Sequence, residues 1–122
     1  MMGNALLFGA IFAFVGIALG AFGAHALKAK FRTEHYANVW DKGCRYFMYN
    51  AFALLGVGIL QRVASDDLLN TAALLFVLGG LLFSVSLWVL SLVTKKWVGA
   101  ITPIGGVLQL AGWVCVILYA MN

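Results

Sequence analysis

Charged residues divide this chain into long apolar blocks. Positions 1–27, 46–61, 68–94 and 97–122 hold no Lys, Arg, Asp or Glu. A helix needs about 20 apolar residues to cross a bilayer core of about 30 Å, and three of the four blocks exceed that length. The block 46–61 is shorter, but Arg45 and Arg62 flank it, and their stems are long enough to carry the charge out to the headgroups. Inside hydrocarbon every backbone N–H and C=O must be satisfied within the protein, which leaves helices or closed barrels. The blocks show no two-residue alternation and are too long for barrel strands. The pattern therefore predicts an all-α fold: one membrane domain, 1–122, built as an up-and-down bundle of four transmembrane helices. The spans are expected near 5–26, 44–61, 68–93 and 103–121.

Small residues recur at helical spacing within these blocks. In the first span Gly9, Ala13, Gly16, Gly20 and Gly23 follow at intervals of four, three, four and three, which places them on one face. Lipid tails give no hydrophobic drive for helix association, so close backbone approach has to supply it, and small residues permit that approach. The stripe is read as packing inside the bundle, with a dimer seam as the alternative. A large side chain at Gly20 is expected to cost about 1–3 kcal/mol. Gly80 and Ser84 form a similar pair in the third span. In the fourth, Gly105, Gln109 and Gly112 share a face that points Gln109 inward. Thr102 is read as the N-cap of a helix starting at Pro103, preceded by an irregular or short helical segment at 97–101.

The first loop carries a pattern of its own. Thr33 is placed to cap a short amphipathic helix at about 33–43, with Tyr36, Val39, Trp40, Gly43 and Phe47 at three- and four-residue spacings. Tyr and Trp favour the headgroup level, so this segment is expected at the membrane interface, running into span two. Asp66 and Asp67 suit the N-terminus of span three electrostatically.

Composition agrees with the pattern. The chain is 64% hydrophobic and 10% charged, against about a quarter charged for soluble domains. Its +4 net charge reflects topology rather than nucleic-acid binding. Lys28, Lys30, Arg32, Lys42, Arg45, Lys95 and Lys96 fall in loops one and three, and only Arg62 lies on the opposite side. The positive-inside rule then puts loops one and three in the cytoplasm and both termini outside a cell membrane. Positions 1–4 lack the basic residues of a signal peptide, so the first span is read as retained. Cys115 lies twelve residues beyond Pro103, roughly 18 Å along a helix, while Cys44 opens span two. A bridge between them is not expected.

The segments Gly20-Ala21-Phe22-Gly23-Ala24-His25-Ala26-Leu27 and Ile101-Thr102-Pro103-Ile104-Gly105-Gly106, followed by Ala111-Gly112-Trp113, resemble the small four-span membrane proteins of domain of unknown function 423, related to eukaryotic transmembrane protein 256. Tyr46-Phe47-Met48-Tyr49-Asn50-Ala51 and Phe83-Ser84-Val85-Ser86-Leu87-Trp88 fit the middle motifs with changes. Family members usually carry His at Asn50 and Gly at Val85, so a paired-histidine site with His25 would be broken here. Relatives also often have basic residues in the second loop and at the C-terminus, which favours the opposite orientation; this chain largely lacks them. The resemblance implies the fold and no known activity.

Chain order brings the end of span one, the start of span two, the end of span three and the start of span four to one membrane face. His25, Asn50, Ser91, Thr94 and Thr102 are therefore expected to gather near the basic side as a polar pocket. One histidine without an acidic or thiol partner is a poor metal site, and no metal or other cofactor is expected. All four acids are assigned to loops, which disfavours antiporters that depend on a carboxylate within a span. The serines have no adjacent base for hydrolysis, and haem ligation by His25 and His35 would require His35 to leave its loop. The expected function is a non-catalytic structural or adaptor bundle, with membrane lipid and either its own copies or a larger membrane protein as partners. The alternative is a lipid, quinone or small-solute binding or transport protein using the pocket near His25.

Overall fold

The computed structural model describes residues 4–122. Its helices are α1 (Asn4–His25), α2 (Glu34–Val63), α3 (Asp67–Val93), α4 (Lys96–Gly99) and α5 (Thr102–Met121), with a single 3₁₀ turn at Lys28–Lys30. Four of them, counting α4 and α5 as one crossing, are long and apolar enough to span a membrane. α1 packs along α2, α2 along α3, and α3 along α5. The central pair α2–α3 buries most of the core, and α5 buries only Gly105 and Gly112.

Glycine sets the α1–α2 contact from both sides. A Cβ at Gly9 would lie 2.9 Å from Ala51 O and from Leu55 N. One at Gly58 would overlap the backbone N of Leu6. The backbones therefore touch, as helices in lipid must to gain dispersion energy. Farther along, Gly16 faces Met48 and Gly23 lies beneath the Trp40 ring. Gly20 departs from the expected stripe. A Cβ there would meet only Cys44 Cβ, at 4.0 Å, whereas Gly16 and Gly23 on either side meet the long side chains of Met48 and Trp40. Ala13 is partly buried against the core, as the stripe implies.

In the first loop, the segment expected to run into span two is the first part of α2, a continuous helix of 30 residues and so roughly 45 Å long. Thr33 occupies the cap position without a side-chain capping bond. Val39, Trp40, Gly43 and Phe47 are buried against the neighbouring helices. Phe12 stacks on Phe47 at 4.0 Å, Phe47 meets Trp88 edge-on at 5.1 Å, and Trp88 lies 5.9 Å from Trp40. This aromatic column joins α1, α2 and α3. His35 and Asp41 thus belong to a helix and not to a loop. Asp41 stays exposed and pairs with Arg45 one turn on, at 3.0 Å.

Helix ends follow local chemistry. Asp66 accepts from Leu68 N at 2.9 Å, a side-chain N-cap for α3. Thr94 closes α3 in the left-handed region (φ 60°) with its N–H on Leu90 O. Thr102 does not cap α5. The helix begins at Thr102 itself, and its hydroxyl bonds Ser86 Oγ at 2.6 Å instead. Cys44 and Cys115 are both free thiols.

Gly58→Ala is expected to destabilise the protein by about 1–3 kcal/mol, because the methyl group meets backbone that cannot turn aside. Gly20→Ala is expected to fall within about 0.5 kcal/mol of wild type. Thermal unfolding in one detergent compares the two variants; equal melting temperatures would show that α1 does not seat on α2 at Gly58.

Candidate functional site

The polar groups inside the bundle come from positions where one helix leaves a neighbour's carbonyl within reach. Gly79 on α3 and Gly105 on α5 bring those backbones together: a Cβ on Gly105 would overlap Phe83 N, and one on Gly79 would lie 2.9 Å from Gly105 O. Gln109, one turn beyond Gly105, fills the crossing. Its Nε2 donates to Gly105 O at 3.2 Å and to Gly79 O at 3.3 Å. Asn50, 2% exposed in the middle of α2, donates from Nδ2 to Tyr46 O at 2.8 Å and to Gln109 Oε1 at 3.0 Å. A primary amide has two N–H donors, and both are used on each residue. The result is a carboxamide clamp that ties α2 to α5 over a glycine-lined stretch of α3. Gly80 makes room for it, since a Cβ there would lie 3.2 Å from Asn50 Cγ and 2.9 Å from Phe12 Cε2.

The polar residues expected at the basic end separate in the structure. α1 and α2 run antiparallel with Gly23 beside Trp40, Gly16 beside Met48 and Gly9 beside Ala51. His25 therefore lies level with the region of α2 just before Trp40. Asn50 is some twelve residues farther along, roughly 18 Å deeper. Asn50 is an interior residue rather than part of a pocket with His25, and a histidine in its place would be equally remote from His25. His25 itself faces outward. Ser91 is 1% exposed and returns its proton to Trp88 O at 2.7 Å. Thr102 pairs with Ser86 and Thr94 with its neighbour's carbonyl. Among the described residues no three His, Cys, Asp or Glu side chains converge.

Other polar ties escape a reading of the sequence. Ser84 Oγ donates to Gly43 O at 2.7 Å, and Trp40 Nε1 to Leu19 O at 2.9 Å. Gln61 Nε2 reaches Asn70 Oδ1 at 2.8 Å at the opposite end of the bundle. Ser84 and Gly80 were legible as a small-residue pair. Gly43 and Gly58 carried the same kind of signal, lying on the face of Ala51 and Leu54. Asn50→Leu and Gln109→Leu are each expected to cost about 1–2 kcal/mol, with a coupling energy of roughly 0.6–1.7 kcal/mol, in the range of interhelical hydrogen bonds in lipid. A double-mutant cycle on thermal stability measures it; strictly additive losses would show that the two amides do not bond.

The family model described as Protein of unknown function (DUF423) matches residues 19–106, a stretch that takes in Asn50, Gly79 and Gly105. A UPF0382 membrane protein of Staphylococcus aureus is 42% identical over 113 residues, covering 93% of this chain and 91% of the relative. One from Staphylococcus haemolyticus is 39% identical with the same coverage. The UPF0382 membrane protein YwdK of Bacillus subtilis is 38% identical over 118 residues, 96% of this chain and 95% of the relative. No solved structure matches. The similarity runs through nearly every helix, and the chain belongs to the DUF423 family of membrane proteins of unknown function.

Proposed function

We propose that this protein is a non-catalytic membrane bundle that serves as an adaptor, holding a transmembrane helix of a larger membrane protein. One observation carries the reading. Beyond the Asn50–Gln109 bond α2 and α5 part, leaving an apolar cleft of about 560 Å³ lined by residues that include Tyr49, Phe52, Ala53, Gly56 and Trp113. Among the described glycines, Gly56 alone has nothing within 4 Å of an added Cβ. Glycine inside a helix costs about 0.5–1 kcal/mol relative to Ala, and here no contact within the chain offsets that cost. Close approach of a helix from outside does. The interior polar groups support the same reading: Asn50, Gln109, Ser84 and Thr102 tie helices to one another, and among the described residues none of these forms a nucleophile–base pair.

The seven-to-one distribution of basic residues supports an orientation with loops one and three toward the cytoplasm and the termini across a cell membrane. A second reading, in which the basic end binds a lipid headgroup, quinone or small solute, is supported by a groove of about 290 Å³ there. It is lined by Gly20, Gly23, Lys28, Phe31, Trp40 and Asp41 among others. His25 is not among the residues that line it.

Gly56→Leu is the discriminating variant. Because the site is empty within the chain, its stability is expected to match or exceed that of wild type, by up to about 1 kcal/mol. Cross-linking and co-purification from native membrane are expected to recover a stoichiometric membrane-protein partner with wild type and to lose it with the variant. A wild-type protein recovered alone with a bound small solute contradicts the adaptor role.

A further inference from the structure

The groove at the basic end holds a charge that nothing in the chain offsets. α1 stops at His25, and the 3₁₀ turn Lys28–Lys30 begins the connection to α2. The groove of about 290 Å³ lies between α1 and α2, with Lys28 at its outer end and Gly20 at its inner end. Phe31 closes it on the loop side, its ring 5.9 Å from that of Trp40. Two charged side chains line the groove, Lys28 and Asp41. Asp41 is held by Arg45 at 3.0 Å, the one ion pair among the described residues. Lys28 thus has no acid paired with it. Its surroundings add to the excess: between the end of α1 and Tyr46 stand five basic residues and two acids, Glu34 and Asp41.

We infer that this groove seats an anionic phospholipid, with its phosphate on Lys28 and the start of one acyl chain laid along α1 past Gly23 to Gly20. The two ends of the groove select that occupant. Lys28 lies beyond the end of α1, whereas Gly20 lies five residues before His25, roughly 8 Å farther in along the helix. Gly20 belongs to a block without charged residues, and a Cβ there would meet only Cys44 Cβ, at 4.0 Å. A ligand that fills both ends is charged at one and apolar at the other. A free phosphate leaves the inner end empty, and a quinone brings no charge to Lys28. Among phospholipids, one with an ammonium group carries a cation into surroundings that already have an excess of positive charge, whereas an anionic headgroup gains from each basic residue near the membrane surface. The volume is below the roughly 300–1,000 Å³ that encloses a whole small molecule, so the groove takes the headgroup and leaves most of the lipid in the bilayer. This lipid site rests on the reading of the basic end as a binding site and is independent of the α2–α5 cleft.

The test reconstitutes the full chain in nanodiscs containing equal amounts of anionic glycerol, ethanolamine and choline phospholipids, extracts it in mild detergent, and weighs retained molecules by native mass spectrometry. Wild type is expected to keep one glycerol phospholipid, enriched over both others by roughly fivefold, the ratio one lysine charge sustains at a membrane surface. Lys28→Gln is expected to bring the three lipids near parity. Lys30→Gln removes the same charge from a residue that does not line the groove, and most of the enrichment is expected to survive it. Ala24→Trp fills the groove and leaves every charge in place; it is expected to lose the lipid. Lys28 and Ala24 are both exposed, so neither change disturbs the core. Equal losses from Lys28→Gln and Lys30→Gln would mean a diffuse charge effect and overturn the seat in the groove. Preference for a lipid with an ammonium group overturns it too, as does enrichment that survives Ala24→Trp. A non-lipid molecule retained by wild type and lost with Ala24→Trp, without any lipid preference, overturns the lipid and spares the binding site; if Ala24→Trp displaces nothing, both fall.

Discussion

Four helices in lipid have no solvent pushing them together. What holds this bundle is backbone contact, and the contact that the others depend on is the crossing of α3 and α5 at Gly79 and Gly105. There the two main chains come close enough for a single glutamine to bond a carbonyl on each. With Gln109 fixed in that way, its oxygen faces α2 and accepts from Asn50. α2 is thereby tied to a helix it otherwise leaves, and α1 is carried along by its own glycine contacts with α2 and by the Phe12–Phe47–Trp88 column. A side chain on either central glycine would move Gln109 off its carbonyls and leave buried amide groups unpaired, which is the expensive state inside hydrocarbon.

The same constraint explains why polar residues inside the spans do not amount to a reaction centre. Each buried hydroxyl or amide described above is needed to satisfy a carbonyl or another side chain. Ser84 serves Gly43, Thr102 serves Ser86, Ser91 serves its own helix, and Asn50 and Gln109 serve each other. The groups left over are an unpaired oxygen at Gln61, the indole N–H of Trp88 in the aromatic column, and a glycine at position 56 that faces an empty cleft. Function in such a molecule is sought at its surfaces, where a helix or a lipid completes what the chain leaves incomplete.

Much of this was legible in the sequence. The charge-free blocks located the spans, and the Gly105–Gln109–Gly112 spacing turned Gln109 inward. Depth was harder. Asn50 sits near the start of a charge-free block, which places it by sequence close to the basic face. Its true depth follows from α2 beginning at Glu34 and from the antiparallel register that Gly9 and Gly58 set with Ala51 and Leu6. Neither is a local property. Trp40 shows a related limit: a tryptophan beside basic residues fits the headgroup belt, and its seat on Gly23 follows only from tertiary contact. Gly20 matched the stripe in spacing, yet the residue facing it on α2, Cys44, leaves room for a Cβ.

The central claim is that the Asn50–Gln109 pair is a dry structural clamp and not a stretch of polar pathway through the bundle. Hydrogen–deuterium exchange of the two side-chain amides, followed by NMR on the protein in bilayers, tests it most directly. The structure predicts slow exchange for both amides, together with a through-space contact between the Asn50 amide protons and the Gln109 side chain. Rapid exchange at both amides, with no contact between them, would mean that water reaches the middle of the bundle and that the clamp does not exist.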